Sequence, residues 1–206
     1  MRRPDRVLIV LAFAAVILTV AAARVPIWPG DVAVTRSLQA VSPGTAWAEA
    51  MTKSASAPWS FILALSAGAI VWWMAGWRAA VAVALAFGSM WMIGEWVKPL
   101  VGRPRPSAAL VRVIGAPKGY SFPSTFALVY STTIGALALV AAFGSLTRGR
   151  GAIVASCVFL LSAGGLARIT LGAHWPSDVL ATYVVGLTWS AVLLRIVAGA
   201  PPAGIR

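Results

Sequence analysis

Three short segments of the chain carry residue types suited to chemistry on an anion. Ala167–Leu180, ARITLGAHWPSDVL, holds Arg168, the only histidine of the chain, His174, and Asp178, one of five acidic residues. Pro176 suits the first turn of a helix, which puts Asp178 in that turn, where the dipole favours a carboxylate. From there it is expected to reach back to the His174 imidazole, setting its tautomer and raising its nucleophilicity. Lys98–Pro106, KPLVGRPRP, has three cations, Lys98, Arg103 and Arg105. Pro104 and Pro106 bias both arginines toward extended backbone, and a planar guanidinium can donate two bonds at once to a tetrahedral oxyanion. Ser121–Phe143 opens with SFPSTF, where Ser124 stands at the N-cap position of a long apolar helix. A serine there satisfies a free backbone N–H, and the same helix end is a ready anion site; the residues alone leave both readings open.

The elements that must position these residues are membrane helices. Of 206 residues, 60% are apolar and only 11% charged, a composition for a polytopic membrane protein rather than a soluble domain. Apolar runs at Val7–Ala23, Trp59–Gly76, Ala79–Val97, Ala127–Phe143, Ala152–Leu166 and Val179–Ala198 each approach the ~20 residues that cross a bilayer. The expected fold is therefore an all-α integral membrane bundle of six helices, one domain over residues 1–206, with the motifs gathered at one membrane face. MRRPDR followed by an apolar run and VAAA also fits a cleavable secretory signal over residues 1–23. With all six spans kept, Arg2, Arg3, Arg6, Arg78, Arg148, Arg150, Arg195 and Arg206 share a side with both termini, which the positive-inside rule assigns to the cytoplasm. The motifs then face the periplasm or the exterior of an inner or plasma membrane. Pro26, Pro29, Pro43 and Pro58 break the stretch between the first two spans into one or two short surface helices. Tryptophans near span ends, among them Trp28, Trp47, Trp59, Trp72, Trp73, Trp77 and Trp96, read as an interfacial belt. A lone Cys157 gives neither a disulfide nor a cysteine metal site, and the formal charge of +12 concentrates at span ends, where it suits a local anion or lipid headgroups rather than nucleic acid.

Read together, Lys98, Arg105 and Pro106, then Pro123 and Ser124, then Arg168, His174 and Asp178 resemble, in order and placement, the three-part signature of the type 2 phosphatidic acid phosphatase superfamily, the lipid phosphate phosphatases related to vanadium haloperoxidases. The resemblance implies a six-helix bundle that uses no metal or other cofactor and hydrolyses membrane lipid phosphates through a phosphohistidine. It implies that Lys98, Arg105 and Arg168 hold the phosphate oxygens with Ser124, Thr125 and the N–H groups that follow, Phe126 included. His174 would be the nucleophile and Asp178 its orienting carboxylate; Arg103 is an additional candidate for the phosphate.

The chain departs from the pattern at Phe126, where the family usually has a histidine that protonates the leaving oxygen. General acid catalysis is typically worth 10²–10⁴-fold, and a phosphomonoester that must expel an alkoxide needs it. A diphosphate expels a lipid monophosphate, already a stable anion, so the expected substrate is a polyprenyl diphosphate such as undecaprenyl diphosphate. Tyr120 and Tyr130 are possible substitute acids, poor ones at an ordinary pKa near ~10. The alternatives are a lipid phosphotransferase and a protein that binds or moves lipid phosphates without cleaving them.

Overall fold

The computed structural model describes residues 3–42, 44–144 and 148–199; Arg2, Arg206 and the expected breaker Pro43 lie outside the described residues. Among those described the regular elements are all helices, α1 (Arg3–Arg24), α2 (Asp31–Val41), α3 (Ala46–Lys53), α4 (Trp59–Ala75), α5 (Trp77–Val101), α6 (Thr125–Tyr130), α7 (Ala136–Phe143), α8 (Arg150–Thr170) and α9 (Pro176–Val197). A π-helical turn, Ser131–Gly135, joins α6 to α7. Among the described residues five segments are long and apolar enough to cross a bilayer: Arg6–Arg24, Trp77–Val101, Thr125–Phe143, Arg150–Thr170 and Pro176–Val197. The sixth expected span, α4, is apolar but has 17 residues. Gly76 alone (φ 85°) turns α4 into α5, and the two pack side by side.

The segment from Thr125 is the hub of the bundle, 78% of its most apolar window being buried against 6% for Arg6–Arg24. Phe126, Val129, Tyr130, Ile134, Leu137 and Val140 form a core with Val71 of α4 and Val83 and Phe87 of α5. Lipid tails are as apolar as these side chains, so close fit rather than water exclusion holds such helices together. Small residues supply that fit. A Cβ on Gly164 would meet the Phe126 ring at 2.5 Å, one on Gly165 would meet Val179 at 3.0 Å, and one on Gly186 would overlap the Ser131 hydroxyl. The hydroxyls of Ser131, Thr132 and Thr133 donate to the carbonyls of Ala127, Leu128 and Val129, each at 2.7 Å, back-bonding of the kind that bends a helix; it coincides with the widened turn. The outward faces carry Phe13, Leu65, Trp73, Trp96, Leu100 and Ile196, all more than 60% exposed, far more apolar surface than a soluble monomer leaves bare.

One end of the bundle gathers the motif segments. The Pro26 carbonyl just past α1 accepts from Arg103, Gln39 of α2 donates to the Arg112 and Thr170 carbonyls, and Arg168 of α8 donates to Thr52 of α3. Where one or two short helices are expected between the first spans there are two, α2 and α3, and they cover this end. Because α1 ends and α9 begins here, Arg3 and Val197 lie at the opposite end. Trp28 departs from the belt reading, since the Arg103 guanidinium lies 5.3 Å over its ring.

Candidate active site

His174 lies in the link between α8 and α9 and is 2% exposed. Its Nδ1 is 2.7 Å from the Ser121 carbonyl, which only accepts, so Nδ1 carries the hydrogen and Nε2 keeps its lone pair. Nε2 faces Arg105 Nη1 at 3.3 Å. Burial holds the imidazole pKa well below 6.5, Arg168, Arg105 and Lys98 push it the same way, and the Ser121 carbonyl opposes them. The ring is therefore neutral at neutral pH, the protonation state a nitrogen nucleophile needs. As His174 is the chain's sole histidine, ¹⁵N-histidine labelling reports it alone. We expect neutral-tautomer resonances unchanged as pH falls through 6.5, protonation coming only at lower pH; a midpoint at 6.5 would mean a solvated ring.

Asp178 is placed differently from the sequence expectation. It does not touch the imidazole: its carboxylate accepts from the Trp175 N–H at 2.9 Å, pairs with Arg103 at 2.5 Å and takes a short hydrogen bond from the Ser121 hydroxyl. It caps α9 and acts on His174 at one remove, through the residue whose carbonyl holds Nδ1. A carboxylate in the first turn of a helix finds the free N–H groups of that turn nearest, and here they take precedence over the ring. Arg103, the additional phosphate candidate, is likewise committed elsewhere. Only 1% exposed, it binds Asp178, Asp31 (3.0 Å) and Ser177 (2.9 Å), while Asp31 also accepts from the N–H groups of Trp28 and Ser177. Two buried carboxylates depend on one guanidinium, so Arg103→Met is expected to cost about 3–5 kcal/mol, the penalty for stranding buried charge. Thermal unfolding in detergent measures it, and an unchanged midpoint would contradict the arrangement.

Lys98, near the end of α5, donates at 2.6 Å to both Glu95 and Thr125, and the Thr125 hydroxyl also donates to Glu95 at 3.0 Å. Arg168 donates through Nη1 to Thr52, but its buried Nε has no partner among the described residues, and its guanidinium stands 6.0 Å over the Phe126 ring. A cavity of about 340 Å³ opens here, lined by Thr52, Ser56, Trp91, Glu95, Thr125, Phe126, Arg168 and alanines of the α3–α4 link. Ser124, fully buried, acts as the N-cap: its hydroxyl accepts from Ala127 N–H at 3.4 Å, and its own N–H goes to Thr182. Lys98, Arg105 and His174 are not on the cavity wall; Arg105, whose Nη1 also donates to the Ala173 carbonyl at 2.6 Å, covers Nε2. Tyr130 is no neighbour of the imidazole, its hydroxyl lying against Ser54 and the Met51 sulfur. The fold thus brings Arg105 to His174 and Lys98 to Thr125, and puts Thr125, Phe126 and Arg168 around one cavity. It withdraws Arg103 and Ser124 into the supporting structure. Sequence reasoning missed Ser121, Asp31, Ser177 and Glu95; with five acidic residues in the chain, the carboxylates Asp31 and Glu95 were the signal to follow.

The model of the PAP2 superfamily matches residues 75–201, which contain all three motif segments. The chain belongs to the PAP2 superfamily. The decaprenylphosphoryl-5-phosphoribose phosphatase of Mycobacterium tuberculosis (strain H37Rv) is 35% identical to this PAP2 member over 123 residues, 59% of each chain. The lipid A 1-phosphatase of Rhizobium johnstonii is 36% identical over 114 residues, 52% of this chain and 42% of that one. The chain therefore spans less than two thirds of the length of these curated relatives. A transmembrane PAP2 type phosphatidylglycerolphosphate phosphatase from Bacillus subtilis has the same fold, with a TM-score of 0.73 over 90% of this chain and 93% of the other at 19% identity.

Proposed function

We propose that this PAP2 protein dephosphorylates a membrane lipid phosphate or diphosphate, with His174 Nε2 as the nucleophile. The observation that carries the reading is the buried His174 ring, anchored through Nδ1 on the Ser121 carbonyl so that the Nε2 lone pair faces Arg105. In this reading the phosphate takes over donors of Arg105 that now rest on Nε2 and on the Ala173 carbonyl. Lys98, Thr125 and Arg168, with its unpartnered Nε, hold the remaining oxygens beside the start of α6, where Ser124 and the backbone of Phe126 set the helix end. Asp178 is a positioning residue, and Arg103 its counter-ion. Phosphoryl transfer asks a protein chiefly for placement and charge stabilisation, which three cations around one imidazole provide. The names of the curated relatives, a decaprenylphosphoryl-phosphoribose phosphatase and a lipid A phosphatase, support a lipid substrate.

The finer reading is a preference for a polyprenyl diphosphate such as undecaprenyl diphosphate. Phe126 has no proton to give, and a lipid monophosphate leaves without one. The site then belongs to the periplasmic or outer face, since Arg78, Arg150 and Arg195 sit at the other end of the bundle. The test is phosphate release by the purified protein from undecaprenyl diphosphate and from phosphatidic acid. Faster release from the diphosphate supports the preference; equal rates overturn it.

A further inference from the structure

A phosphohistidine pathway has two proton demands, and Phe126 leaves both unmet at its position. A diphosphate removes the first, because its leaving group needs no proton. The second is the water that must attack phosphorus to release the enzyme, and it needs a base. His174 carries the phosphoryl group at that stage and Lys98 and Arg168 are cations, so none of them can serve. Asp178 is sealed by Arg103, Ser121 and the Trp175 N–H and is 0% exposed. Glu95 remains. Among the described residues it is the one carboxylate on the cavity wall, in company with Thr125, Phe126 and Arg168, and its side chain is 61% exposed.

We propose that Glu95 is the general base of the second half-reaction, doing through a water what residue 126 cannot do. The inference rests on the phosphohistidine reading above. Glu95 Oε1 is bonded to Lys98 Nζ at 2.6 Å and to Thr125 Oγ1 at 3.0 Å, two groups assigned there to the phosphoryl oxygens. A carboxylate held on those two donors is one water away from the phosphorus they hold. It is also within electrostatic range of Arg105, the residue that faces Nε2: burial lowers the Arg105 pKa, and Asp178 and Glu95 both oppose that shift. In the step itself the water oxygen forms the new P–O bond, the P–Nε2 bond breaks and its electron pair returns to the ring. The water proton passes to Glu95 and on to solvent, leaving inorganic phosphate and a neutral imidazole.

The experiment is single-turnover and steady-state kinetics on undecaprenyl diphosphate carrying ³²P in its terminal phosphate, for wild type, Glu95→Gln and His174→Ala. Glu95→Gln keeps a side chain able to bond Lys98. We expect it to give a first-turnover burst of lipid monophosphate within about threefold of the wild-type rate, then turnover lowered about 10²-fold or more. Acid-labile label should accumulate on the protein, and its amplitude reports the folded fraction. If Glu95→Gln turns over within about threefold of wild type with no extra label, Glu95 is not the base. Equal slowing of burst and turnover would also overturn the proposal, since it would mean that Glu95 only places Lys98 and Thr125. The phosphohistidine reading fails separately, through absence of label in every protein together with unchanged turnover in His174→Ala.

Discussion

His174→Ala is expected to lower phosphate release from any lipid substrate by at least about 10⁴-fold, the scale on which removing a nucleophile acts. The size follows from the lack of any replacement. There is no second histidine in the chain, Asp178 is buried in its own ion pair, and the Tyr130 hydroxyl is turned to Ser54. Substrate binding should change little, because the cations assigned to the phosphate are untouched and Arg105, freed from Nε2, keeps the Lys118, Gly119 and Ala173 carbonyls as partners. Phosphate release is measured beside equilibrium binding of the same lipid. Retained release would remove His174 from the chemistry, whereas binding without release in wild type and variant alike would leave binding or transport as the function.

Phe126→His is expected to confer phosphomonoester hydrolysis, raising release from phosphatidic acid by about 10²–10⁴-fold while changing the diphosphate rate by less than about tenfold. The Phe126 ring is stacked on Tyr130 at 4.2 Å and lies against the bare Cα of Gly164. An imidazole is smaller than the ring it replaces, so the space is already there. The loss of buried apolar area costs about 1–3 kcal/mol, which fits within ordinary stability. Arg168 close by favours the neutral imidazole, so the new acid works best below neutral pH. The readout is the ratio of monoester to diphosphate rates, which cancels differences in the folded fraction. A ratio that stays at the wild-type value would mean that protonation of the leaving group does not limit the monoester reaction.

Much of the architecture was legible in the sequence because a bilayer leaves little choice. Backbone N–H and C=O groups in hydrocarbon must be satisfied internally, so long apolar runs become helices wherever they occur. That reasoning located all the long helices to within a few residues, and the prolines and polar residues between the first spans marked α2 and α3. The 17 residues of α4 lie at the short end of the range for a span, and the reading took as one continuous helix a segment where three consecutive hydroxyls accompany a π turn. The local capping roles were legible too: Ser124 at the start of α6 and Asp178 in the first turn of α9 follow from free backbone N–H groups alone.

What the sequence by itself determined, then, is the kind of helices, their number within one, and the inventory of one histidine, the cations and a missing acid at Phe126. Only the tertiary structure decided what each charge is bonded to. Arg103 and Arg105 stand two residues apart in the same proline-stiffened segment, yet one neutralises Asp31 and Asp178 in the interior and the other lies on His174. Asp178 is four residues from His174, yet reaches it through Ser121. Spacing along a chain gives reach, but a buried charge goes to the counter-charge that best offsets its desolvation. Asp31 brings that counter-charge from a helix 72 residues before Arg103, a pairing no local pattern contains. Glu95 repeats the lesson: an i,i+3 partner for Lys98 on paper, it becomes the cavity's carboxylate because α6 delivers Thr125 and Phe126 beside it.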